Sequence, residues 1–257
     1  MSTRVVAAQE GRHLWIAGRA LLLVFAFSVL LSAITYFTAI DQTLNFLEQK
    51  EAVDFTLQIA VGVGVLVTLV VSADGISGER ERGTLEALLL TPVARRSIML
   101  GKLVAALSVW LAAFLVTIPY IWVLGNGVSL VTKALVLGLA VGTLVATGLA
   151  LFGLLVSARC ASNKASLAIS FFVLLALFAP TQLPGGLPRG WFFDVLQRVN
   201  PVASGLQYTH LILVTGHSWT RDLSYLISPV VLILVAGALA LGASTRLVRL
   251  FPGVNSV

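Results

Sequence analysis

One cysteine, Cys160, stands in the whole sequence. It excludes an intrachain disulfide and any metal site built from several cysteines. At the end of an apolar run it reads as a small apolar residue, with palmitoylation as the alternative. Charge is scarce too. Charged residues make up 11% of the chain, against about 25% in soluble domains, and apolar residues 58%, against about 45–50%. A soluble fold cannot hide that much apolar surface, whereas a bilayer can. The net charge of +6 does not mark a nucleic-acid surface, because the 17 basic residues are not gathered into a patch. They stand at the ends of apolar runs, where membrane topology is set.

Catalytic patterns are absent as well. The sequence holds no HExxH, no GxSxG and no cluster of His, Cys and carboxylate at metal spacing. Of the histidines, His13, His210 and His217, the last two are seven apart and would share a helix face. With no third ligand at helical spacing they read as capping or solvated groups. Gly78 and Gly83 imitate the glycines of GxxxxGK[ST], but Thr84 and Leu85 stand where lysine and a hydroxyl must be. The loop therefore cannot hold ATP in that way. No enzyme site, metal site or cofactor site is expected in this chain. The apolar runs offer only neutral polar groups, among them Ser28, Ser32, Thr35, Gln58, Thr68, Thr117, Thr143 and Thr147. Ion-coupled carriers keep charged relays at membrane depth, so the energy for any pumping must come from a partner. A lipid-like, peptidic or amphipathic cargo fits such spans better than a highly charged solute.

What is present is a set of long apolar runs. A spanning helix needs about 20 apolar residues, and residues 20–40, 55–73, 103–124, 134–157 and 225–243 meet that length. A sixth run, 165–180, is shorter; it extends through 181–183 or sits in thinner lipid. The first run is followed by acidic residues and by no small-residue cleavage pattern, so it reads as a retained helix. The expected fold is all-α, an integral membrane protein of six transmembrane helices in one domain, 1–257. With both termini inside, 12 basic residues fall on the cytoplasmic side and 5 outside, as the positive-inside rule requires. That orientation fits a multi-pass protein of the inner (cell) membrane. Gly138 and Gly142, and Ala238 and Gly242, are spaced for close helix contact.

Three segments do not span. Residues 4–19 mix Val5, Val6, Leu14, Trp15 and Ile16 with Arg12, His13 and Arg19. They read as an interfacial helix, with a partly ordered tail as the alternative. Residues 181–222 are broken by Pro184, Pro188 and Pro201. Their two apolar stretches, 191–199 and 202–214, suit a re-entrant outer hairpin. Residues 74–102 form the most charged stretch. Leu85, Leu88 and Leu89 share one helix face with Glu86 turned away, and Thr91 and Pro92 can open a new helix. A plain connection would be far shorter.

The run GERERGTLEALLLTPVARRSIMLGK, from Gly78, closely resembles the signature of type-2 ABC transporter permeases, which have the type V exporter fold. The matching positions are Glu79, Glu81, Gly83, Thr84, Glu86, Thr91, Pro92, Gly101 and Lys102. The resemblance implies a coupling helix between spans two and three that docks into an ATPase subunit. The expected ATPase-coupling residues are Glu79, Arg80, Glu81, Arg82, Gly83, Thr84, Leu85, Glu86, Leu88, Leu89, Thr91 and Pro92. It also implies two copies of the ATPase, which carry ATP and Mg, and a second copy of this permease or a related one. Asn200-Pro201 resembles an element of the branch serving nitrous-oxide-reductase maturation, gliding motility and sodium or antibiotic export. Val202-Ala203-Ser204 departs from the acidic residue some members carry there. The expected function is thus a dimerising permease of an ATP-driven exporter. The alternative is a nucleotide-independent channel or scaffold of a membrane assembly.

Overall fold

The computed structural model describes residues 3–40, 46–85, 90, 93–125, 130–182 and 191–242. The described residues form helices and no strand. In chain order the helices are α1 (Thr3–Ile16), α2 (Arg19–Ile40), α3 (Phe46–Asp74), α4 (Ser77–Glu81), α5 (Arg95–Leu124), α6 (Val131–Arg159), α7 (Asn163–Phe178), α8 (Trp191–Val199), α9 (Pro201–Leu213) and α10 (Ile227–Gly242). Short 3-10 turns, Ala179–Gln182 and Leu223–Leu226, extend α7 and lead into α10.

Five helical segments are long and apolar enough to cross a membrane: Arg19–Phe37, Gln49–Asp74, Arg95–Leu124, Val131–Arg159 and Leu223–Gly242. They coincide with five of the six expected spans. The run at 165–180 falls on α7, a 16-residue helix below that length. Two helices overrun the apolar windows that mark them in sequence. Helix α3 starts at Phe46, so Lys50, Glu51 and Asp54 are helical and not parts of a loop. Likewise α5 starts at Arg95, which makes the last residues of the 74–102 segment its first two turns. Apolarity marks where lipid must be met, but the hydrogen-bond ladder of a helix continues past that point.

Helices α3, α5 and α6 are central. Their apolar windows are 61%, 56% and 56% buried, against 22% for the α2 span and 17% for the last one. The core is built around Trp110 of α5, which is 1% exposed and donates its indole N–H to Thr143 Oγ1 at 2.9 Å. Its ring lies between Gly64 of α3 and Gly142 of α6. A Cβ at those positions would stand 2.7 Å and 2.4 Å from the indole. Gly138 makes room for Leu57 in the same way, at 2.5 Å. The faces of Gly138 and Gly142 are therefore filled by large side chains of this same chain, whereas Ala238 and Gly242 are exposed.

Helix α1 packs lengthwise on the first half of α5. Val6 meets Gly101, Glu10 meets Lys102, and Trp15 donates to Ser108 Oγ at 3.1 Å. The contacts advance together along both helices, so α1 climbs beside α5 before the chain turns at Gly18 (φ +77°). At the opposite end Asn200 separates α8 from α9. Its Oδ1 accepts the N–H groups of Val202 and Ala203, and Pro201 occupies the first helical position, the combination that starts a helix sharply. Below, the "collar end" carries residues 74–102 and the "hairpin end" carries α8 and α9.

Gly142→Leu should collide with Trp110 and cost roughly 1–3 kcal/mol by overpacking. Gly237→Ala should be neutral or slightly stabilising, since its Cβ would meet only Leu151 at 3.7 Å. Thermal unfolding in detergent, followed by tryptophan fluorescence, separates the two.

Candidate functional site: a polar collar

Helix α3 ends at Asp74, a residue 7% exposed overall. Its carboxylate meets Arg19 Nη1 at 2.9 Å, Arg82 Nη2 at 3.4 Å and Asn163 Nδ2 at 2.6 Å. It thus joins the starts of α2 and α7 to the segment after α4. The turn out of α3 is held from α6: Ser157 Oγ accepts the N–H groups of Ile76 and Ser77 at 3.0 and 2.9 Å. A Cβ at Gly78 would stand 2.1 Å from Asp74 Oδ1, so only glycine lets α4 lie this close.

The four charged residues after Gly78 go to four different places. Glu79 Oε1 meets Lys102 Nζ at 2.5 Å, and Lys102 also meets Glu10 Oε1 at 2.8 Å. The Lys102 side chain is 4% exposed. One ammonium here serves two carboxylates, from α1 and α4. Burial pushes the Glu79 carboxyl above its ordinary range, and Lys102 opposes that rise. Arg80 donates to the carbonyls of Ala158 and Cys160, at the C-terminal end of α6. Carbonyls at a helix C-terminus carry partial negative charge and favour a cation. Glu81 Oε1 accepts the Asn163 N–H at 2.7 Å, at the positive end of α7. Arg82 returns to Asp74.

The chain then turns at Gly83, φ +70°. Leu85 follows, 1% exposed, packed with Ile76, Met99, Leu154 and Ala240. Sequence alone places Leu85, Leu88 and Leu89 on one helix face; the structure puts Leu85 on the bundle. Glu86, Leu88, Leu89, Thr91 and Pro92 lie outside the described residues. Leu90 is 86% exposed. Glu79 is half-buried and Arg80 reaches into the bundle, while Glu81 and Arg82 are exposed. Glu10, Asp74, Ser157 and Asn163 complete the collar and are not among the expected site residues. Glu10 had a signal in sequence, being the one acidic residue in the first 40.

Among the described residues no group of three or more His, Cys, Asp or Glu could hold a metal ion. What the collar can do is mechanical. Through named bonds α4 and the residues that flank it are tied to six other helices.

A sequence model of the family described as ABC-2 family transporter protein matches residues 5–250, which takes in α1, the collar and the hairpin end. The chain belongs to the ABC-2 transporter family. It is the membrane permease subunit of an ABC transporter, a transport component that is not itself catalytic, and the family associates with an ABC ATPase and with the membrane. No curated protein matches the chain. In this ABC-2 permease the collar is the most charged and most cross-linked part of the described structure, and it lies on the segment whose sequence resembles a coupling element.

Lys102→Met should leave two half-buried carboxylates facing each other without the buried cation that joins them. Breaking a buried pair in that way costs about 3–5 kcal/mol. Glu79→Gln leaves Lys102 with Glu10 and should cost about 1 kcal/mol. Thermal unfolding of the two variants in nanodiscs checks the order.

Proposed function

We propose that this permease is the membrane half of an ATP-driven exporter, coupled to its ATPase through residues 74–102. Two copies of the ATPase, carrying ATP and Mg, dock on a pair of permeases, and the cargo moves outward by alternating access. The collar end is cytoplasmic and the hairpin end faces outward. Six crossings result when α7 and its 3-10 extension are counted as the fifth. Helices α8 and α9, of 9 and 13 residues, enter the outer leaflet and return without crossing. Asn200-Pro201 between them favours the branch that includes the permeases of nitrous-oxide-reductase maturation, gliding motility and sodium or antibiotic export.

The observation that carries this reading is the distribution of the collar's bonds. One short segment is tied to α1 and α5 through Lys102, to α6 through Arg80 and Ser157, to α7 through Glu81, and to α2 and α3 through Asp74. A loop that only connects two helices needs none of these ties. A segment that receives a push from below needs all of them.

The test uses the permease co-expressed with its ATPase. Leu88→Ala and Leu89→Ala should each reduce co-purification of the ATPase, since truncating a leucine buried in a groove costs roughly 2–5 kcal/mol. Leu85→Ala does not serve, because Leu85 is already buried in the permease. Gly83→Pro should leave the protein in the membrane but uncouple it, because proline at φ near −65° cannot form a turn at φ +70°. Unchanged co-purification and hydrolysis in all three variants would remove the coupling role.

Orientation is tested by thiol labelling in a Cys160→Ser background. Ser218→Cys should react with an impermeant maleimide from outside intact cells, and Thr84→Cys should not. Ser77 is unsuited, being wholly buried. Labelling of Thr84→Cys in intact cells would reverse the topology.

A further inference from the structure

Sequence alone offers the membrane only neutral polar groups and places Asp54 in an outer loop with His210 solvated. The structure departs from both. Asp54 lies within the helical span Gln49–Asp74 of α3 and is 2% exposed. Its Oδ2 accepts from Gln58 Nε2 at 2.7 Å and lies 2.7 Å from Nδ1 of His210 on α9. Its Oδ1 is buried with no hydrogen-bond partner. The His210 side chain is 38% exposed. A carboxylate buried among apolar helices is therefore joined to an imidazole that water can reach, across the contact between the hairpin arm and a central helix.

We propose that Asp54 and His210 form a proton-binding site that docks α9 on α3, so that pH on the hairpin side of the membrane sets how firmly the arm is held. A buried carboxylate with an unpaired oxygen needs a compensating charge. An imidazolium supplies it; a neutral imidazole supplies only a dipole. The docked arm presents the imidazole to a carboxylate and the undocked arm presents it to water, so docking binds the proton more tightly. The added hold is complete below the ordinary imidazole range, about 6.5. It is lost as pH rises through the range of the docked pair. Three further ties of the arm are neutral: Asn200 Nδ2 to Leu177 O, Ser204 Oγ to Tyr225 O, and Tyr208 Oη to Trp219 O. They do not titrate between about pH 5 and 8, where unperturbed imidazole does.

Other charged groups stand on the elements packed against α9. They are Glu48, Lys50 and Glu51 on α3, Lys133 at the start of α6, and Asp194 and Arg198 on α8. In the connection to α10 are Arg221 and the pair His217–Asp222 (2.7 Å). Helix α10 and the turn Ala179–Gln182 carry none, and the charge on α7, Lys164, is at the collar end. His217 is the other imidazole beside the arm, which makes it the control.

Hydrogen exchange of the full permease in nanodiscs tests the site without cargo or ATPase. In the wild type, protection of the Pro201–Leu213 amides, corrected for intrinsic exchange, should fall about tenfold between about pH 5.5 and pH 8, while α6 stays constant. His210→Gln and Asp54→Asn should each abolish the fall, and His217→Gln should retain it. A flat wild-type profile, a fall that survives His210→Gln, a fall lost in His217→Gln or a fall shared by α6 would each overturn the proposal.

Discussion

The Lys102 ammonium is nearly sealed from water, and a buried charge of that kind is tolerated only where opposite charge and hydrogen bonds surround it. Glu10 and Glu79 supply them from two different helices, so the fold at the collar end depends on three elements arriving at one nitrogen. Gly101, the preceding residue, has no side chain, and that absence lets α1 lie directly against the α5 backbone. The adjacent glycine and lysine thus do one job together: the first makes room for α1, and the second binds it. Arg80, Glu81 and Asp74 then extend the same logic to helix ends, where unpaired backbone groups already favour a charge of known sign.

The two ends of the bundle are built on different principles. The collar end is dense with charged ties. The hairpin end is held by apolar packing of α9 in the groove lined by α6, by neutral bonds to backbone carbonyls, and by one buried acid–imidazole contact. A transporter that opens its ends alternately has use for that contrast, with one end transmitting force and the other separating from its neighbours.

Much of this was legible in the sequence. The apolar windows marked five of the long helices, because lipid exposure is a composition signal. Asn200-Pro201 marked the break between α8 and α9, because cap chemistry is local. Residues 74–102 stood out by their glycines and interleaved charges. What could not be read was which charges turn inward. Glu79 and Glu81 look equivalent in sequence, yet one is buried on Lys102 and the other caps α7, a distinction that arises only when α5 and α7 are placed. Asp54 was hidden for a related reason: apolarity puts the start of the second span after it, whereas the helix begins earlier and buries it. Trp110 and its two glycines lie on three different helices, and no spacing within one of them marks the fit.

The partnership of α1 with α5 also sets an order of assembly. Glu10 and Lys102 are 92 residues apart, and protein synthesis at about 5–20 residues per second separates their appearance by roughly 5–20 s. During that interval α1 has no socket, the Glu10 carboxylate has no cation, and the apolar side of Val6, Leu14 and Trp15 must rest on lipid or on the insertion machinery. Helix α1 is thus made well before the helix that holds it, and it can reach its place only after α5 has followed α2 and α3.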